Sequence, residues 1–238
     1  MKLLMATCAD ESVMEYARYT LPILRMYAKR WDAEFRILGK SFGSLYWWRT
    51  LALYDLLKSY DRILHIDSDI VINKNCPNIF DFVPHDTMGF VFEDKGSRLK
   101  NRRARIAHIK EDFGGNENWI SGYFNIGFFV VSSMHRKIFT RIEGKLWSEK
   151  RKERLSGATQ THYSYQLMKQ RHKYIDLGYK WNHMSMFSEP WNNRASRFDS
   201  YIIHYAGGGR FPDKGNRSRV QLMKDDIMKI YGRLEIEE

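Results

Sequence analysis

The sequence predicts an α/β fold, with a Rossmann-like, mostly parallel central sheet flanked by helices, in a single domain over residues 1–238. Three observations predict it. Short apolar runs rich in β-branched and aromatic residues alternate with longer segments whose apolar residues recur at helical spacing, the pattern of strands joined by crossover helices. A chain of 238 residues is long enough to bury one sizeable core. No internal repeat or low-complexity linker divides it.

Taken in order, Lys2 to Met5 reads as the first strand. In "SVMEYARYTLPILRMYAKRW", Val13, Tyr16, Ala17, Thr20, Leu24, Tyr27 and Trp31 fall at helical spacing, Pro22 notwithstanding. Glu34 to Leu38 is a second strand, Trp47 to Tyr60 a second helix, and "DRILHI" a strand. Thr87 to Glu93 and Tyr123 to Ser133 read as further strands. The polar segment between them, Asp94 to Asn118, includes Gly114 and Gly115 and is the candidate for a mobile lid. A basic helix, the helix "TQTHYSYQLMKQ" and the strand "KYIDL" follow, and then "SYIIHYAGGGR", a strand ending in a glycine-rich turn. The tail, residues 217–234, places Val220, Met223, Ile227 and Ile230 on one face, as a packing helix would.

Hydrophobic residues make up 43% of the chain and aromatics 15%, which excludes a disordered protein. No apolar run approaches the ~20 residues of a membrane span, and the opening "MKLLMATCADESVMEY" is too short in apolar length for a secretory leader, so the expected location is cytoplasmic. Cys8 and Cys76 lack metal-like spacing and read as free thiols. The net charge of +11 suits anionic partners, whether nucleotide phosphates, nucleic acid or peripheral contact with a membrane surface. Much of the excess lies in Ser97 to Lys110 and His135 to Arg154, which read first as solvated helix faces.

Within "RILHIDSDIVI", Asp67 and Asp69 interrupt a run apolar enough for a buried strand. A carboxylate is costly to bury unless a cation or several donors meet it. If the strand continues through them, the i, i+2 spacing points both side chains to one face, where they can converge on Mg²⁺ or Mn²⁺. They also follow a strand's carboxyl end, where open α/β sheets bind ligands. His204, just before "YAGGG", offers an imidazole as third ligand beside glycines whose amides can approach a phosphate. Arg210 can pair with phosphate oxygens through its fork.

"YDRILHIDSDIVI", "YFNIGFFVVSS" and "HYAGGGR", in this order, resemble the landmarks of GT-A fold glycosyltransferases, most closely the retaining family that includes glycogenin and bacterial lipopolysaccharide galactosyltransferases. The resemblance implies a metal-dependent hexosyltransferase that moves a sugar from a nucleotide-sugar donor, a UDP-sugar being favoured, to a glycan or other hydroxyl acceptor with retention. It implies that Asp67, Asp69 and His204 hold Mn²⁺ or Mg²⁺. It also implies that Ala6, Thr7, Arg49, Asp67, Ser68, Gly207 and Arg210 bind the nucleotide, and that Asn125, Gln160 and Arg210 serve the sugar and its transfer. The sequence departs from the family in two places. Cys8 stands where the first loop usually offers an aspartate to the base, and Thr159 precedes Gln160 where the family has aspartate, so the sugar-facing carboxylate is missing or comes from elsewhere, with Glu93 and Asp94 the candidates.

Two other readings compete. "DSDIV" also fits the nucleophile loop of haloacid-dehalogenase phosphatases, although the only Asp-Asp pair, Asp225 and Asp226, lies in the tail helix. The basic runs and aromatics would suit a nucleic-acid binder, which leaves Asp67, Asp69 and His204 without a purpose.

Overall fold

The computed structural model describes residues 1–39, 52–115, 118–151 and 157–232. In chain order its strands are β1 (Leu3–Cys8), β2 (Glu34–Leu38), β3 (Arg62–Ile66), β4 (Ile70–Ile72), β5 (Met88–Phe92), β6 (Phe124–Ser132), β7 (Tyr174–Asp176) and β8 (Ile202–His204). Six of them form the central sheet in the order β2-β1-β3-β6-β5-β7. Only β6 runs against the others, antiparallel to both β3 and β5, so the sheet is mostly parallel as expected. β4 and β8 make a small antiparallel sheet in which Ile70 faces His204.

Helix α1 (Met14–Arg30) crosses between β1 and β2 and packs against β4. Pro22 removes one backbone donor, but the buried face of Tyr16, Ala17, Thr20, Leu24 and Tyr27 carries the helix through it. That face joins the core on one side of the sheet, with Leu222, Met223 and Ile227 of the tail helix α4 (Arg219–Tyr231). On the other side, Tyr163 and Leu167 of α3 (Ala158–Gln170) cover Phe90, Phe124 and Phe129. No helix among the described residues is long and apolar enough to cross a membrane.

Within the segment expected as a lid lies helix α2 (Leu99–Phe113), as the solvated-face reading of Ser97 to Lys110 expects, and Ile106 and Ile109 at i, i+3 bury one edge against the neighbourhood of α3. Two expectations are corrected. The basic stretch from His135 to Arg154 is not one helix. A 3₁₀ turn at Ser133–Phe139 is capped by its own His135, and a short helix at Trp147–Arg151 follows after Gly144, whose φ is +76°. Strand β3 also stops at Ile66, and residues 68 and 69 form a turn before β4. Asp67 and Asp69 therefore converge by flanking a turn and not by strand alternation. The expected helix from Trp47 is described only from residue 52 onward, and Arg49 lies outside the described residues.

Candidate active site

The turn between β3 and β4 is fixed from three directions. Asp67 N–H donates to the Gly127 carbonyl of β6 at 2.7 Å, Tyr205 N–H donates to the Asp69 carbonyl at 3.0 Å, and the Thr20 hydroxyl of α1 donates to the Ser68 carbonyl at 2.6 Å. β8 delivers His204 from the opposite strand. Its Nε2 lies 3.3 Å from Asp69 Oδ1 and 3.8 Å from Asp67 Oδ2, and the candidate ligand atoms of all three residues lie within 4.8 Å of one another.

Close approach requires a glycine at 127. A Cβ there would stand 2.3 Å from His204 Cε1 and 2.7 Å from Asp67 Oδ2. A glycine inside an otherwise apolar strand is a sequence signal for such an approach, and the reading of "FNIG" missed it.

The tautomer of His204 follows from a chain of hydrogen bonds that starts at Glu93. This carboxylate is buried and accepts four side-chain donors: Arg98 at 3.0 Å, Asn125 Nδ2 at 2.7 Å, Gln160 Nε2 at 2.6 Å, and Arg102. Burial pushes its pKa up, but Arg102, Arg98 and the two amides together outweigh that and hold it below the ordinary carboxylate value. Because Asn125 gives its amide hydrogens to Glu93, its Oδ1 faces the Gly127 N–H at 2.9 Å and Asn182 Nδ2 at 3.0 Å. Asn182 Oδ1 is then left to face His204 Nδ1 at 2.9 Å, so Nδ1 carries the proton. His204 Nε2 consequently turns a lone pair toward two carboxylates. Three acceptors converging on one point repel one another unless a cation sits between them, and two carboxylates with one imidazole form a donor set that fits Mn²⁺ or Mg²⁺. Arg219 of α4 already touches this cluster, with Nη1 at 3.1 Å from Asp69 Oδ2 and its guanidinium over the Tyr16 ring.

A cleft of about 460 Å³ opens from this cluster. Asp67, Asp69 and His204 line it together with Asn125, Gln160, Thr159, Gly207 and Glu93, so most of the sequence candidates meet in one place. Gly207, Gly208 and Gly209 adopt φ of +64°, +85° and +61°, a run of left-handed residues open to glycine alone without strain. Ala6 and Thr7 are buried inside β1, where the Thr7 hydroxyl has no hydrogen-bond partner among the described residues. Ser68 is buried in the turn, and Arg210 is exposed beyond the glycines, outside the cleft lining. Of the two candidates for the missing carboxylate, Asp94 turns away to the Gly122 and Tyr123 amides, both at 3.0 Å, and only Glu93 faces the cleft.

A GT-A-type sheet with a cation-ready cluster at its carboxyl edge and a glycine turn beside it defines a glycosyltransferase, and the family comparison agrees. Residues 10–211 match the model of glycosyl transferase family 8, and the chain belongs to that family. Among solved structures it is similar to a glycosyltransferase involved in the glycosylation of the major capsid of PBCV-1, with 16% identity over 96% of this chain and 100% of that one and a TM-score of 0.57. It is also similar to the galactosyltransferase LgtC, solved in complex with donor and acceptor sugar analogues, with 15% identity, 97% of each chain covered and a TM-score of 0.55. At such identities the structural likeness carries the fold. No curated protein matches the chain. The family sets aside both competing readings. Asp226 of the supposed acidic pair is taken up by Arg197 and Tyr205, and Asp225 by Arg217.

Proposed function

We propose that this glycosyltransferase moves a hexose from a nucleoside diphosphate sugar, a UDP-sugar being favoured, to a hydroxyl of a glycan or other acceptor, with a divalent cation bound and with retention at the transferred carbon. The observation that carries the metal dependence is the His204 lone pair, held by Asn182 toward Asp67 and Asp69. An imidazole beside two carboxylates favours Mn²⁺ over Mg²⁺. When bound, the cation supplies positive charge where the diphosphate leaves.

The chain's own residues do the rest. Gly207 presents backbone to the diphosphate, Arg98 places Nη2 3.8 Å from where a Gly207 Cβ would be, Arg219 reaches Asp69, and Arg210 follows the glycines in the chain. Asn125 and Gln160, locked by Glu93, stand at the sugar end with fixed amides. Ala6, Thr7 and Ser68 shape the floor under the nucleotide, and Arg49 belongs to the same site by family resemblance. Retention is supported by what the described carboxylates are doing. Asp67 and Asp69 serve the cation, and Glu93 is saturated by donors with a lowered pKa, so none is poised as a general base for an acceptor hydroxyl. The acceptor proton then has a departing phosphate oxygen as its base.

Thermal unfolding with Mn²⁺, with UDP, GDP or dTDP, and with each combination tests the reading. Metal and UDP together should stabilise the protein by about 2–4 kcal/mol at 100 to 1,000 times Kd, and neither alone should approach that. Asp69→Asn should fold normally and lose the joint effect. An undiminished joint effect in this variant would remove the metal site as drawn.

A further inference from the structure

We infer that the sugar this enzyme transfers carries a carboxylate, as a uronic acid does. The inference rests on the glycosyltransferase reading above and concerns only the sugar end of the cleft.

The observation is a charge imbalance. Arg98, Arg102 and Arg105 at the start of α2 all line the cleft. The spacing of four and then three residues stacks them on one helix face, and at 1.5 Å per residue the row extends about 10 Å. All three are partly buried. Glu93 answers Arg98 and Arg102, and among the described residues no carboxylate pairs with Arg105. At the other end Asp67 and Asp69 are spoken for by the cation and Arg219. Glu93 thus serves two of the three guanidiniums, and Arg105 is the one that meets no carboxylate among the described residues. A cation partly withdrawn from water needs an anionic partner.

Position along the row decides which anion is meant. Arg98 lies by the glycine turn, with Nη2 at 3.8 Å from where a Gly207 Cβ would be, so it is near enough to serve the diphosphate. Arg105 lies at the far end, where a Cβ on Gly157 would stand 2.1 Å from its Nη1, and Thr159 and Gln160 follow directly on α3. Gly157 has a φ of +78°, so the loop leaves space for this guanidinium at the point where the helix bearing Gln160 begins. Thr159 and Gln160, which line this end of the cleft beside Arg105, are uncharged. A neutral hexose leaves the guanidinium unanswered. A planar carboxylate on C6 of the sugar matches the fork of an arginine with two parallel hydrogen bonds.

Isothermal titration with Mn²⁺ and matched pairs tests this: UDP-glucuronate against UDP-glucose, and UDP-galacturonate against UDP-galactose, with UDP alone as reference. At least one uronate should bind tenfold or more tighter than its neutral partner, and the preference should weaken with salt. Arg105→Gln should reduce the preference to less than threefold while keeping the UDP affinity, which also shows that the variant is folded. Equal binding within both pairs would overturn the inference, as would a preference that survives Arg105→Gln. A preference for a uronate seen only with a methyl uronide acceptor added after UDP would likewise overturn it. Failure of UDP itself to bind with Mn²⁺ would instead bring down the donor reading and this inference with it.

Discussion

Asn182 reaches no substrate, yet its amide decides which nitrogen of His204 keeps a lone pair. A leucine there is close in volume but offers no acceptor, so His204 would be free to turn or to change tautomer. Asn182→Leu is expected to weaken Mn²⁺ binding 10- to 100-fold in titration, the usual cost of losing a partner behind a metal ligand, with metal-free nucleotide binding unchanged. An unchanged Mn²⁺ affinity would show that the tautomer is set by something else. Gly127→Ala should do more damage. Its Cβ would overlap His204 Cε1 and Asp67 Oδ2, and both are held from behind, His204 by Asn182 and Asp67 through its backbone, so they cannot give way cheaply. Loss of metal-dependent nucleotide binding with a folded circular dichroism spectrum is the expected result, and wild-type binding would mean that the cluster is looser than its contacts indicate.

The elements differ in how plainly the sequence announces them. α1 is legible because a helical period dominates it and burial enforces that period, and β3 and β6 because each is a short run buried at every position, as strands covered on both faces are. Helix α2 is legible only as a solvated face, since its charged residues outnumber its apolar ones and only Ile106 and Ile109 are buried. Its purpose lies in tertiary contacts, because Arg102 and its neighbour Arg98 reach Glu93, the residue just past the end of β5. The candidate metal cluster was legible as residue types but not as geometry, for a turn between two strands and a strand alternating through it look alike in a string of letters. Asn182, in "WNHMSMF", gives no signal at all, being one polar residue whose partners are remote in sequence. We propose that residues 94–118 still act as a lid, now as a helix whose arginines close on bound donor. Limited proteolysis with trypsin should cut this basic segment more slowly with UDP and Mn²⁺ present, and equal rates would leave α2 as a fixed wall.

At the scale of the whole molecule, buried histidines set the response to acid. His135, His162 and His183 are each 0–1% exposed on three different parts of the fold, and burial pushes the pKa of each down to about 4. Neighbouring charge adds to this, from His172 at His135, from Arg141 at His162 and from Arg197 at His183. In the unfolded chain each would take a proton near 6.5. Between pH 6.5 and about 4 the unfolded state therefore binds more protons than the folded one, and stability falls as pH falls through that window. It is fully present above 6.5. Each histidine contributes on the order of 3 kcal/mol at most, so the three together approach the ~5–15 kcal/mol that holds a typical domain. The expected outcome is a urea midpoint that is flat from pH 8 to 7, drops steadily below 6.5, and reaches acid unfolding before pH 4. His162→Gln, whose Nε2 reaches as far as the imidazole Nε2 toward the Thr140 carbonyl, should lower stability at pH 7 but flatten the slope by about one third. A midpoint that holds constant from pH 7 to 5 would mean that these imidazoles are protonated in the folded protein, and the interior around them would have to contain partners for three positive charges.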